Sequence, residues 1–288
     1  RQSALSLSGV FDYFSGRPRH PIGPDGRMAL SDHVRELRAR LLKSALFLVV
    51  VFFVALAFYE QPGGGLLGLV MSPYNDARDM LGESVQTEAY IKGATGPLML
   101  QLKLCGIAAI VISSPYWLYQ IWAFIVPGLH ENEKRWTRVF AAIAGPLFII
   151  GVVTGYYVLP RGLEVLIGFT PSGLSNLVEF NEYFSFLTRM LLVFGIAFEI
   201  PLFVIMLNLA GVVSGAALGR YRPWIVLGTF VFAAVATPST DPFSMTMLAL
   251  PMLVLFLVAE VIARAVDRSR GRHRTGTDQW GDDEASPL

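Results

Sequence analysis

The sequence is poor in charged residues and in cysteine. Charged side chains make up 16% of the 288 residues, whereas soluble domains average about 25%, so the chain has too few polar side chains to cover a soluble globule. The single cysteine, Cys105, excludes an internal disulfide and any metal site built from several cysteines. Because Cys105 lies in an apolar run, we expect it to be a small packing residue.

Three further features are missing. The net charge of +1 gives no reason to expect nucleic-acid binding. No internal repeat is visible, although many secondary transporters carry an inverted repeat. The first 27 residues lack the apolar segment of a secretory signal peptide. They are rich in Gly, Pro, Ser and Arg, and we expect residues 1–27 to form a flexible cytoplasmic extension.

Long apolar runs are what the sequence does have. Hydrophobic residues make up 53% of the chain, and a helix needs about 20 residues to cross a hydrocarbon core about 30 Å thick. We predict an all-α membrane domain over residues 28–265, a polytopic bundle of six transmembrane helices at about 41–59, 98–125, 138–159, 184–213, 223–236 and 243–263. The fifth run is only about 21 Å long as a helix, so a re-entrant segment is also compatible with it.

The distribution of Lys and Arg predicts the orientation of these spans. The segments 1–43, 126–138 and 214–222 and the chain after Ala263 together hold 18 of these residues. The alternate loops 60–97, 160–183 and 237–242 hold three. Because positive charge accumulates on the cytoplasmic side, we expect both termini, including the tail 266–288, to be cytoplasmic.

The first polar cluster lies just before the first predicted span. Apolar residues at helical spacing predict an amphipathic interfacial helix that runs into the span. Glu36 and Arg40 are four residues apart, and the simplest interpretation is a solvated anchor in which they pair, worth about 0.3–0.5 kcal/mol. A binding role for Glu36 stays open at this point.

Two loops are polar enough to carry function. Residues 130–134 begin like a zinc-protease helix, but Lys134 takes the place of the second histidine, so no metal site is expected. The loop 237–243 holds two prolines and an aspartate, which make a good turn whatever its function. Charged and turn-forming loops are usually only solvated, so neither loop indicates a function by itself.

Glu199 lies in the middle of the fourth predicted span. An ionised carboxylate there costs about 2.5–3.5 kcal/mol on insertion scales, so it must face a wet cavity, bind a donor or be protonated. The structural alternative is a neutral Glu199 bonded to a carbonyl that Pro201 frees. We favour a functional role. Glu260 is less informative, since it is expected to reach water beside Arg264.

Taken together, these segments resemble TatC, the core subunit of the twin-arginine protein translocase. The matching segments, in the order of the family, are 32–42, 114–129, 194–201, Arg222-Pro223 and Thr237-Pro238. No single segment is decisive, but the ordered set is specific, and the resemblance covers roughly residues 29–265.

The resemblance implies a concave six-helix scaffold in a bacterial-type inner membrane, with no enzymatic activity and no cofactor. It implies that the protein binds twin-arginine signal peptides on folded cargo and recruits single-span TatA/TatB-type subunits in a homo- or hetero-oligomer. Two planar guanidinium groups suit carboxylates that bind them in a bidentate manner. Acids on a basic cytoplasmic surface are therefore suitable receptors.

The resemblance also implies roles for single residues. Signal-peptide binding falls to Glu36, Arg38, Phe124 and Glu133. Glu199 matches the intramembrane acid of the family, Pro73 its first periplasmic loop, and partner-helix contacts fall to Thr237, Asp241 and Met245. Two departures stand out, because Thr240 lengthens the turn by one residue and Met245 replaces a glutamine.

Other functions remain open on the sequence alone. A proton-coupled transporter or channel is the main alternative, with Glu199 as the relay. An intramembrane protease is disfavoured, because all four histidines lie outside the predicted spans: His20, His33, His130 and His273. A passive scaffold is possible if a partner performs all the signal recognition.

Overall fold

The computed structural model describes residues 30–61, 64–82, 85–125, 134–209, 211–236 and 242–269. Several predictions therefore lie outside the described residues, namely those for the extension 1–27, Glu133, Thr237, Asp241 and positions 270–288 of the tail.

Helices make up almost all of the described chain. In chain order they are α1 (Leu30–Ala57), α2 (Gly65–Leu81), α3 (Gly96–Ile112), α4 (Ser114–Ile125), α5 (Lys134–Gly168), α6 (Phe180–Leu209), α7 (Gly215–Arg220), α8 (Arg222–Ala236) and α9 (Pro242–Ser269). Two short strands, β1 (Thr87–Tyr90) and β2 (Asn176–Glu179), lie between them.

Four of these helices contain a segment long and apolar enough to cross a membrane: Val34–Ala57, Ala142–Gly168, Phe180–Leu209 and Met245–Ser269. A fifth span results if α3 and α4 count as one bent helix. Helix α8 has 15 residues, a length of about 22 Å, which is less than the hydrocarbon core requires. The predicted all-α multi-pass fold is confirmed, and the count of six remains a prediction.

The second predicted span is a helix pair bent by 54°. The bend lies at Ser113, directly before Ser114 and Pro115, because the proline has no N–H to continue the ladder of hydrogen bonds. The indole Nε1 of Trp117 donates to the carbonyl of Ile110 at 2.9 Å. A side chain thus satisfies a carbonyl group at the break.

The ends of the other spans differ from the predicted ones in both directions. Helix α5 continues through Pro160 to Gly168, beyond the predicted end at residue 159. Helix α6 ends at Leu209, before the predicted end at residue 213. The backbone of Gly211 has a φ of 78°, the left-handed conformation that commonly follows a helix end.

Helices α5 and α6 pack closely through glycines. A Cβ atom built on Gly151 would lie 2.6 Å from the carbonyl oxygen of Phe194 and 3.0 Å from Cα of Gly195. Gly195 in turn lies against the ring of Phe148. Small residues at this spacing let two membrane helices approach backbone to backbone, and the pair forms the centre of the bundle.

The two strands join segments that the sequence indicated only as loops. β1 pairs with β2 in parallel, with Thr87 opposite Asn176 and Tyr90 opposite Glu179. We call this side of the bundle the strand end. The opposite side, where α1 begins and α9 ends, is called the basic end, because it carries Arg35, Arg38, Arg40, Lys43, Arg220, Arg222, Arg264 and Arg268.

Candidate functional site at the basic end

Glu36 is held in place by Arg40. The Arg40 Nη2 and Nε atoms donate to Glu36 Oε1 at 2.6 and 2.9 Å, so the i,i+4 pair expected from the sequence is present. Arg40 also donates through Nη1 to Gln120 Oε1 on α4 at 3.0 Å. The arginine therefore connects α1 to α4 and uses only one of the two oxygens of Glu36.

Phe124 lies on the same part of the surface. It is one helical turn beyond Gln120 in α4, so both side chains share a face of that helix. The phenylalanine is partly buried, and Arg38 on α1 is exposed. The structure thus brings Glu36, Arg38 and Phe124 to one end of the bundle, while Glu133 lies outside the described residues.

Glu199 points into the bundle. Both of its carboxylate oxygens are buried and have no hydrogen-bond partner within the described part of the chain. The structural alternative, a neutral Glu199 that donates to a carbonyl freed by Pro201, stays a prediction. The side chain of Trp122 interacts with the carboxyl group, but it does not reach the geometry of a hydrogen bond. The acid is thus buried without full compensation.

Trp122, the neighbour of this acid, belongs to an aromatic cluster. The ring of Trp122 stacks against Phe140 with the centroids 6.5 Å apart, and it lies 6.4 Å from the ring of Phe203. Trp122 is only 5% exposed. Because Trp122 and Phe124 both belong to the last turns of α4, this helix links the deep acid to the surface around Glu36.

Pro73 lies inside helix α2, and its place in a periplasmic loop stays a prediction. Proline has no backbone N–H, so the carbonyl of Leu69 lacks the hydrogen-bond donor that a helix normally supplies. The hydroxyl of Tyr156 on α5 donates to that carbonyl at 2.7 Å, and Tyr183 on α6 donates to the carbonyl of Val70 at 2.6 Å. Pro73 thus marks the point where α2 is fixed to the membrane helices, at the strand end.

Met245 lies in the first turn of α9, the last long helix. Its side chain is partly buried against the hydrophobic core. The polar turn that precedes it, with Thr237 and Asp241, lies outside the described residues. The predicted partner-helix contacts therefore stay predictions.

Glu260 is more buried than the sequence predicted. We expected it to reach water, but it is 6% exposed. Arg222 on α8 donates to its two oxygens at 2.8 and 3.2 Å, and Arg264 approaches Oε1 at 2.6 Å. The expected neighbour Arg264 is present, whereas Arg222 comes from another helix and could not be identified from spacing within α9.

The same end of α9 is tied to two further helices. Asp267 accepts the backbone N–H of Gly215 at 2.6 Å and the side-chain amide of Asn208 at 3.1 Å. These bonds join α9 to α7 and α6. Within the described residues, no group of His, Cys, Asp and Glu side chains is arranged to hold a metal ion.

Comparison with known families gives the context for this geometry. The family profile described as "Sec-independent protein translocase protein (TatC)" matches residues 32–251. The chain belongs to the TatC family. The resemblance carried by the ordered sequence segments is therefore confirmed.

Relatives in the TatC family resemble most of this chain. The Sec-independent protein translocase protein TatC of Corynebacterium kroppenstedtii is 41% identical over 286 residues, which is 92% of this chain and 68% of that protein. The TatC protein of Frankia casuarinae is 42% identical over 274 residues, covering 92% of this chain and 74% of that protein.

Solved structures give the same result for the fold. The crystal structure of a twin-arginine translocase receptor, TatC, superimposes with a TM-score of 0.64 at 28% identity, covering 81% of this chain and 98% of that one. A crystal structure of the TatC receptor in DDM gives a TM-score of 0.65. The chain is thus a multi-pass membrane protein with the fold of TatC.

Proposed function

We propose that this protein is the receptor and core subunit of a twin-arginine translocase. It binds twin-arginine signal peptides of folded proteins at the basic end and recruits single-span partner subunits for export across the membrane. The observation that carries the proposal is membership of the TatC family over residues 32–251. The basic end then faces the cytoplasm of a bacterial-type cell, as the distribution of Lys and Arg predicts.

The arrangement around Glu36 supports this role. Arg40 donates to Oε1 of Glu36 and connects it to α4, so Oε2 can accept a hydrogen bond from a guanidinium group of the cargo. A side chain that is already oriented loses less conformational freedom on binding. Phe124 lies nearby on α4 and supplies an apolar surface for the residues around the arginine pair.

Glu199 fits a later step of the same function. Its buried oxygens lack partners among the described residues, so a polar group entering the bundle would find an acceptor there. A signal peptide that inserts deeply brings backbone and side-chain donors to this depth. The transporter alternative is not favoured, because the relatives in this family are named as protein translocase components.

The test is site-specific crosslinking of a twin-arginine peptide to the full chain in membranes. We expect Glu36→Gln combined with Glu133→Gln to abolish crosslinking, because each change removes a negative charge that a guanidinium group requires. Asp79→Asn is the matched control, since Asp79 is a 76% exposed acid at the strand end. A twin-lysine peptide is the control for the ligand.

A second variant tests the geometry of the acid. Arg40→Gln removes the side chain that orients Glu36 and should weaken crosslinking, and Gln120→Ala, which only loosens the connection to α4, should weaken it less. Undiminished crosslinking in the double acid variant would contradict the assignment of the two acids. Equal crosslinking of the twin-lysine peptide would contradict recognition of guanidinium groups.

A further inference from the structure

We propose that Arg222 and Arg264 form a binding site for the headgroup of an anionic phospholipid, at the basic end between α8 and α9. The ligand class is a phosphate diester with a net negative headgroup. This site is separate from the proposed signal-peptide surface on α1 and α4. It requires only that the chain spans a bilayer, so the failure of one proposal leaves the other intact.

A buried carboxylate holds the two arginines side by side. The Glu260 side chain is 8% exposed, whereas those of Arg222 and Arg264 are 53% and 46% exposed. One acid and two guanidinium groups leave one net positive charge at the surface. Each guanidinium carries five N–H donors, and the bonds to Glu260 use two from Arg222 and one from Arg264.

This arrangement suits a phosphate. Planar guanidinium groups bind phosphate oxygens through parallel N–H bonds. Holding both side chains through Glu260 removes part of the rotamer entropy that two long side chains would lose on binding. The arginines are thus oriented for an anion before it arrives.

Glycines on α7 make room for the pair. A Cβ atom on Gly219 would collide with the guanidinium group of Arg264 and would lie 3.1 Å from Oε1 of Glu260. A Cβ atom on Gly215 would lie 2.7 Å from the backbone nitrogen of Arg264. The absence of side chains at these two positions lets α9 approach α7 and gives the Arg264 guanidinium its space.

The surrounding residues indicate a lipid. Tyr221 and Trp224 flank Arg222 in the sequence and are 56% and 70% exposed. Amphipathic rings of this kind favour the interface between headgroups and acyl chains. Exposed apolar side chains continue along α8 from there, namely Leu227, Val231 and Val235. An acyl chain below a headgroup at Arg222 would follow this surface.

The short length of α8 affects how the site sits in the bilayer. Because the helix spans only about 22 Å, the bilayer must thin beside it or its ends must lie below the headgroups. A headgroup bound at Arg222 is held at the level where α8 begins. The site therefore fixes the depth at which α8 begins relative to the headgroups.

The experiment measures lipid retention by native mass spectrometry of the full chain in detergent, titrated with phosphatidylglycerol or with zwitterionic phosphatidylcholine. The test variant is Arg222→Gln, Arg264→Gln and Glu260→Gln together. It replaces the ion triad with neutral groups of similar size and leaves no unpaired buried charge. We expect its affinity for phosphatidylglycerol to fall about tenfold, with little change for phosphatidylcholine.

Two further variants make the result specific. Arg161→Gln lowers the net charge by the same amount at the strand end, and we expect it to bind phosphatidylglycerol like the wild type. Gly219→Ala keeps every charge but displaces the Arg264 guanidinium, and we expect it to weaken phosphatidylglycerol binding by a smaller factor. Thermal unfolding of each variant confirms that it folds.

Three outcomes would overturn the proposal. The first is unchanged phosphatidylglycerol binding in the triple variant when it folds normally. The second is an equal loss for both lipids, which would indicate a general effect on the annulus. The third is displacement of the lipid by millimolar inorganic phosphate, which would identify a site for free anions or for acidic protein segments.

Discussion

The hydroxyl of Tyr156 replaces the hydrogen bond that Pro73 removes. The proline ring deprives the carbonyl of Leu69 of its helical donor, and Tyr156 Oη donates to that carbonyl at 2.7 Å. Tyr183 adds a bond of 2.6 Å to the next carbonyl, that of Val70. Helix α2 is thus joined to α5 and α6 by side chains that reach its backbone, and Pro73 frees the carbonyl that Tyr156 binds.

Changing Tyr156 to Phe should destabilise the protein by about 0.5–1.5 kcal/mol, because the hydrogen bond to the exposed Leu69 carbonyl is lost. Chemical unfolding in detergent measures the change. Tyr157→Phe is the control, since Tyr157 is 75% exposed, and we expect it to change the free energy of unfolding by less than about 0.5 kcal/mol.

The role of Pro73 itself is tested by repeating Tyr156→Phe in a Pro73→Ala background. Alanine restores an N–H for the Leu69 carbonyl, so the loss of the tyrosine hydroxyl should then cost less than about 0.5 kcal/mol. Equal costs in the two backgrounds would show that the proline and the tyrosine act independently.

Gly151→Ala should destabilise the contact between α5 and α6. The new Cβ would lie 2.6 Å from the Phe194 carbonyl oxygen, which is backbone and cannot move aside, so we expect a loss of about 1–3 kcal/mol. Gly228→Ala in α8 is the matched control, because nothing lies within 4 Å of its Cβ position. It should be neutral or stabilising by up to about 1 kcal/mol. Similar thermal unfolding of the two variants would contradict the tight helix contact.

Glu199→Gln keeps the size of the side chain and removes its ability to carry a charge. We expect the variant to fold at least as stably as the wild type, to dock signal peptides normally and to support less of their deep insertion. Crosslinkers placed at two depths along the peptide separate the two steps. Glu182→Gln, an exposed acid in the first turn of the same helix, should affect neither. A Glu199 variant that matches the wild type at both depths would assign a purely structural role to this acid.

Much of the fold followed from local patterns. The apolar runs predicted the long helices α1, α5, α6 and α9, because a helix that crosses hydrocarbon must satisfy its own backbone and be apolar throughout. The i,i+4 spacing also predicted the pair of Glu36 with Arg40. The bend of 54° lies directly before Pro115, and the missing N–H of a proline is also a local property of the sequence.

Other features depend on contacts between distant segments. The strands β1 and β2 have four residues each, too few to show a pattern, and each exists only because the other pairs with it. The donor for the Leu69 carbonyl comes from α5, and the second arginine on Glu260 comes from α8. No spacing within one helix contains this information.

The sequence alone determined that the chain spans a membrane, that positive charge gathers at one end of it and that an acid lies within a span. Each of these depends on the transfer of single residues or single helices between water and lipid. Only the tertiary structure decided which groups neutralise the buried acids, because a partner is chosen by the approach of another helix. Glu260 thereby gained two arginines, while Glu199 gained none among the described residues.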